Sequence, residues 1–103
     1  MPNTAPEYWF DSHHRGALRI IRDNKVHGTD RMRDGSSQRW HANIVQKTGR
    51  RIRVDFRTKS WHGGRVELWA LYGPGNNTLE WEDGNVWHRM WSDPSKLFRG
   101  QLR

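Results

Sequence analysis

The chain has 103 residues, enough for one domain, with 18 Lys and Arg against 11 Asp and Glu and a formal net charge of +7. Only 33% of residues are apolar, but 7 Trp, 3 Phe and 2 Tyr set the sequence apart from disordered chains, which are poor in aromatics. The absence of cysteine excludes a disulfide framework and a thiolate metal site, and no apolar run reaches the roughly 18 residues of a membrane span.

Residues 1–16 read as an N-terminal extension. They hold no basic region followed by an apolar stretch, so no secretory signal is expected. With the lack of cysteine this points to an intracellular compartment, organellar import with removal of a transit peptide being the alternative. Residues 17–91 read as a β domain, because alternation with period two recurs and helical periodicity is nearly absent. Residues 17–22 predict a strand, Asp23-Asn24-Lys25 a turn, residues 26–33 a shorter strand and Asp34-Gly35-Ser36-Ser37 a further turn.

In residues 39–45, Trp40, Ala42 and Ile44 alternate inward, and Gln46-Lys47-Thr48-Gly49 has the length and glycine of a short hairpin turn. The clearest strand spans residues 50–57. There Ile52, Val54 and Phe56 face one way, and Arg51, Arg53, Asp55 and Arg57 face the other. Ser60-Trp61-His62-Gly63-Gly64 is a break. Residues 65–72 form the next strand, with Val66, Leu68 and Ala70 on one face; Trp69 and Leu71 opposite suggest cover on both sides. Gly73-Pro74-Gly75-Asn76-Asn77 is a turn. Residues 92–103 form a C-terminal tail, where Ser92, Asp93 and Pro94 predict one helical turn.

The closing hairpin, residues 79–87, admits two registers. A two-residue Asp83-Gly84 turn pairs Trp81 with Val86. A three-residue loop with Gly84 in the left-handed region pairs Leu79 with Trp87, and it gathers Leu79, Trp81 and Trp87 on one face. The second is expected, because a one-residue slip scatters the aromatic set over both faces. The sum is an all-β chain of six to seven short strands, a small antiparallel meander closing into a barrel or a two-layer sandwich.

Two resemblances follow from these residues. Asn24-Lys25-Val26-His27-Gly28 with Asp34-Gly35 resembles the NGxxHG…DG hairpin of MORN repeats, without that family's tandem periodicity. Leu79-x-Trp81-x-Asp83-Gly84-x-x-Trp87-x-Arg89 resembles uncharacterised small β-domains ending in an I-x-W-x-DG-x-x-W-x-R hairpin. Those domains place a Trp-bearing strand and an I-x-V strand upstream, as Trp40 and Ile52-x-Val54 stand here. The second resemblance covers residues 17–91 and implies a barrel-like module without implying an activity. The chain also echoes itself: Arg33-Asp34-Gly35 leading to Trp40-His41 resembles Glu82-Asp83-Gly84 leading to Trp87-His88.

Charge is distributed unevenly. Residues 15–65 carry 14 Arg and Lys against four Asp, whereas the segments on either side are slightly acidic. Arginine outnumbers lysine 14 to 4, which suits bidentate contact with phosphate or carboxylate and stacking on flat rings. The row Arg51, Arg53 and Arg57, with Arg39 and Lys47 expected beside it and Arg50 and Lys59 at its ends, is the sharpest binding candidate. Its bland counterpart is a solvated face salt-bridged to Glu67. Trp61 or Trp69 would stack on a base. Trp9, Trp61, Trp69 and Trp91 are less clearly core than Trp40, Trp81 and Trp87.

The six histidines show no metal-ligand spacing, no Walker-type loop occurs, and neither metal nor cofactor is expected. His41, His88, Glu80 and Glu82 offer the residue types of a small basic ribonuclease. The favoured reading is a non-enzymatic module that binds a polyanion, foremost nucleic-acid backbone, through Arg39, Lys47, Arg51, Arg53 and Arg57. A module that docks an acidic protein surface within a larger assembly comes second, and carbohydrate binding through exposed Trp third.

Overall fold

The period-two pattern closes on itself. In the computed structural model, which describes residues 5–13, 18–57 and 66–92, eight antiparallel strands form a closed barrel in simple up-and-down order. They are β1 (Glu7–Asp11), β2 (Leu18–Arg22), β3 (Lys25–Arg31), β4 (Ser37–Thr48), β5 (Arg51–Asp55), β6 (Glu67–Tyr72), β7 (Thr78–Trp81) and β8 (Val86–Met90). A 3-10 turn, Pro74–Asn76, joins β6 to β7. Among the described residues no helix is long and apolar enough to cross a membrane.

The strand beyond the expected six or seven is β1, within the segment read as an extension. It pairs with both β2 and β8 and seals the barrel, so neither sheet edge is left open. Glu7-Tyr8-Trp9-Phe10-Asp11 is too short and too acidic at its ends to advertise a strand. Its inward residue Trp9 is nonetheless fully buried. The break at 60–64 with Trp61, and the helical turn expected after Ser92, lie outside the described residues.

Alternation decides which side chains fill the barrel. Ile52 and Val54 point inward from β5 and Phe56 from just beyond it, Trp40 and Ala42 from β4, Leu68 and Ala70 from β6, and Leu79, Trp81 and Trp87 from the closing hairpin. Each fully buried side chain of this size contributes about 1.5–3 kcal/mol through the water it sheds. Four of the rings form a chain, Trp40 to Phe56 (5.9 Å), Phe56 to Trp81 (5.5 Å) and Trp81 to Trp87 (4.7 Å), all tilted or edge-on. Tilted contacts of this kind set the positive edge of one ring against the negative face of another. Gly28 on β3 pairs with Trp40 and gives its indole room, since a Cβ there would sit 2.3 Å from Trp40 Cζ2.

The closing hairpin takes the three-residue register. Leu79 pairs with Trp87 and Glu80 with Val86, and Gly84 has φ 94°. Trp81 N donates to Asn85 O (2.8 Å) and Gly84 N to Trp81 O (2.9 Å), while Asn85 N donates to the Asp83 carboxylate. The β3–β4 hairpin repeats this geometry. Met32 N donates to Ser36 O (2.8 Å), Gly35 N to Met32 O (3.0 Å) and Ser36 N to the Asp34 carboxylate, with Gly35 at φ 88°. The echo in the sequence is therefore a structural one, and each copy delivers an inward Trp.

The β4–β5 connection differs from expectation. β4 continues to Thr48 and the turn is Gly49-Arg50, with Thr48 opposite Arg51. A register shift between Ile44 and Gln46 makes Val45 a bulge. Beyond it the alternation flips, so Lys47 lies opposite Ile52 on the inner side of the wall.

The two ends of the barrel are ionic. Near the end that carries the β3–β4 and β7–β8 turns, Arg19 points inward from β2 and is 1% exposed. Its guanidinium donates to Asp30 Oδ1 (2.8 Å), Asp11 Oδ2 (3.3 Å) and Thr29 O (3.0 Å). It also lies 4.9 Å from the ring of Trp40 and 5.9 Å from that of Trp87, the two echoed tryptophans. Asp11 accepts further bonds from Asn85 Nδ2 (3.2 Å) and His13 N (3.0 Å).

Candidate anion-binding site at the barrel mouth

The opposite end carries the turns β2–β3, β4–β5 and β6–β7, and there the inner face runs out of apolar residues. Glu7 on β1, Tyr72 on β6 and Arg89 on β8 are the last inward positions of their strands, and Lys47 joins them because of the bulge. With Arg50 from the β4–β5 turn, Arg51 and Ile52 from the start of β5, Asn76 and Trp91 they line a recess of about 460 Å³.

Four cations, Lys47, Arg50, Arg51 and Arg89, thus surround a single carboxylate, Glu7. Among the described residues none of the four is ion-paired. Glu7 is occupied by neutral donors: Oε1 accepts from Trp9 Nε1 (3.1 Å) and from the Tyr72 hydroxyl (2.9 Å). Burial and then the nearby Glu7 charge push the Tyr72 hydroxyl well above its ordinary value, so it remains a donor.

The guanidinium groups are held by carbonyl oxygens. Arg50 donates through Nε to Tyr72 O (3.2 Å) and through Nη2 to Gly73 O and Asn76 Oδ1 (3.4 Å). Arg89 donates to Asn76 O (3.4 Å), and its guanidinium lies 5.1 Å from the ring of Trp9 and 4.1 Å from that of Trp91. Trp91 is 63% exposed, and its Nε1 is fixed by Asn77 Oδ1 at 2.9 Å. These contacts orient positive charge without cancelling it, which is what an anion site requires.

The expected arginine row is broken up. Arg57 is clamped to Asp55 through Nε (2.9 Å) and Nη2, and Asp55 is largely buried instead of sharing an open outer face. Hydrogen bonds from the Arg57 side chain and then its backbone N–H hold the Asp55 carboxyl below its ordinary value. Arg53 meets Glu67 at 3.4 Å, the salt-bridged alternative, though both side chains are half-exposed and such a pair is weak. Arg51 and Arg53 lie 5.7 and 5.6 Å from the ring of Trp69, which is half-buried on the outer wall. Trp61 is not among the described residues.

Lys47 lies across the β4–β5 hairpin beside the Arg51 end of that row, on the inner side, whereas Arg39 lies far along β4 from that end. Arg39 pairs with Thr29 and lies nine residues along β4 from Thr48, roughly 30 Å from Arg51 at about 3.3 Å per residue. It borders a second groove, of about 640 Å³, on the β2–β4 wall with Leu18, Ile20, Arg22, His27 and His41. Burial and then the Arg22 charge lower the affinity of His27 for a proton. Lys47 belongs to the mouth, where the bulge puts it. The barrel order also separates His41 on β4 from Glu80 and His88 on β7 and β8, so the ribonuclease-like set does not converge.

Sequence reasoning passed over Glu7, Arg50, Tyr72, Arg89 and Trp91 as a group. The signal for Arg89 and Tyr72 was present: they follow inward Trp87 and Ala70 by two residues. The signal for the rest was not, because only closure of β1 onto β8 brings them together.

Fold and site define a small up-and-down β-barrel with a basic, aromatic-flanked mouth. No protein-family model matches the chain, and no curated protein or solved structure does.

Proposed function

We propose that this protein is a non-enzymatic binding module that holds single-stranded nucleic acid by its backbone, the contact surface running from the barrel mouth onto the β5–β6 wall. The observation that carries this reading is the position of Arg51. It lines the mouth with Lys47, Arg50 and Arg89 and also lies against the half-buried Trp69 beside Arg53, joining a cluster of cations to a cation–aromatic ladder on the outer wall. Cation rows supply the salt-dependent grip on phosphates, and flat rings supply sequence-tolerant stacking. The arginine-rich composition agrees with this chemistry.

The test is a fluorescence-anisotropy titration with generic RNA and single-stranded DNA at several salt concentrations. Micromolar binding that weakens steeply with salt is expected, and no binding at low ionic strength overturns the reading. Docking of an acidic protein surface is the second reading. Val45 and Leu71, 46% and 44% exposed on the same wall as Arg51 and Arg53, favour it as apolar anchors beside the cations.

A further inference from the structure

We infer that the mouth recognises a phosphate monoester at a strand end, in preference to the internal phosphodiesters of a continuous strand; this rests on the nucleic-acid reading above. The four cations approach the recess from β4, the β4–β5 turn, β5 and β8, and Ile52 and Tyr72 line it with them. An anionic group that enters the mouth meets a recess lined by all four cations. An internal diester carries one charge and is tethered on both sides, so it meets the rim along one arc. A terminal monoester carries about −1.5 to −2 charge at neutral pH, has three oxygens that accept hydrogen bonds, and is tethered on one side.

The surroundings fit the rest of a terminal nucleotide. Trp91 stands at the rim with its ring positioned by Asn77 and by the Arg89 guanidinium 4.1 Å away, and it is 63% exposed. A base next to the terminal phosphate can stack there, while the chain leaves along Arg51, Trp69 and Arg53. Glu7 keeps its charge, with Oε1 accepting from Trp9 and the Tyr72 hydroxyl, and the four cations of the recess outweigh this single carboxylate.

The experiment compares internally labelled single-stranded oligonucleotides of one sequence that carry a 5′-phosphate, a 3′-phosphate or hydroxyls at both ends. One phosphorylated form is expected to bind at least about tenfold more tightly than the hydroxyl form, the size of effect that charge-assisted hydrogen bonds to one extra anionic group provide. Lys47→Ala and Arg51→Ala, checked for folding by circular dichroism, are expected to abolish that difference. Equal affinity for all three forms overturns the terminal-phosphate inference and leaves backbone binding standing. Absence of binding by any form at low ionic strength overturns both.

Discussion

Arg19 and Asp30 meet inside the barrel at 2.8 Å, with Arg19 1% and Asp30 6% exposed. The guanidinium also bonds Asp11, so one cation holds two buried carboxylates near one end of the core. Arg19→Met leaves those carboxylates without their shared guanidinium. It is expected to destabilise the fold by about 3–5 kcal/mol, measured as the urea unfolding midpoint. A loss below about 1 kcal/mol would show that the cluster contributes little beyond what replaces it.

A Cβ at Gly28 would come within 2.3 Å of Trp40 Cζ2. Gly28→Ala is therefore expected to cost about 1–3 kcal/mol through overpacking. In the double variant Gly28→Ala/Trp40→Phe the two losses are expected to sum to less than their separate values, because the smaller ring vacates the contested space. Strict additivity in thermal unfolding would contradict the contact.

Much of the barrel was legible because most of its strands alternate cleanly. The faces of Trp40, Ala42, Ile52, Val54 and Phe56, and the register of the closing hairpin, follow from spacing and from one glycine. Three features escaped for identifiable reasons. In Leu18-Arg19-Ile20-Ile21-Arg22 the apolar residues occupy both faces, so the pattern could not say that Arg19, not Leu18 or Ile20, points inward. The bulge at Val45 moves Lys47 to the other face, and no turn residue marks it. The mouth depends on pairing between β1 and β8, a contact between the two ends of the barrel sequence that local patterning cannot register. The candidate site accordingly shifted from a strand face toward a rim, with Arg51 common to both.

The two three-residue hairpins predict matched behaviour. Gly35 and Gly84 hold φ 88° and 94°, a backbone region that side chains disfavour, with nothing else within 4 Å of an added Cβ. Gly35→Ala and Gly84→Ala are each expected to lose about 1–2 kcal/mol from backbone strain alone. Chemical denaturation checks this. A loss at only one of the two would contradict their equivalence.

Asp55 sets an acid-side prediction. Its carboxyl lies below the ordinary 3.8 because Arg57 donates to it through side chain and backbone. A depressed folded-state value means that its stabilisation is fully present above that ordinary value and is lost as pH falls through the lower, folded one. Asp55→Asn is expected to be less stable than the parent at neutral pH and to lose less further stability between about pH 5 and pH 2. Parallel stability curves for the two proteins over that range would contradict the pairing.

The most direct measurement is the salt dependence of single-stranded nucleic-acid binding in the parent and in a Lys47→Ala/Arg51→Ala variant. Affinity is expected to fall with salt, each phosphate neutralised adding about 0.7 to the slope of log affinity against log salt, and the slope is expected to be shallower in the variant than in the parent. Arg22→Ala and Arg39→Ala, on the β2–β4 wall, are expected to leave the slope unchanged. A parent protein that does not bind at low ionic strength, or a slope that responds to Arg22 and Arg39 but not to Lys47 and Arg51, would contradict recognition at the mouth.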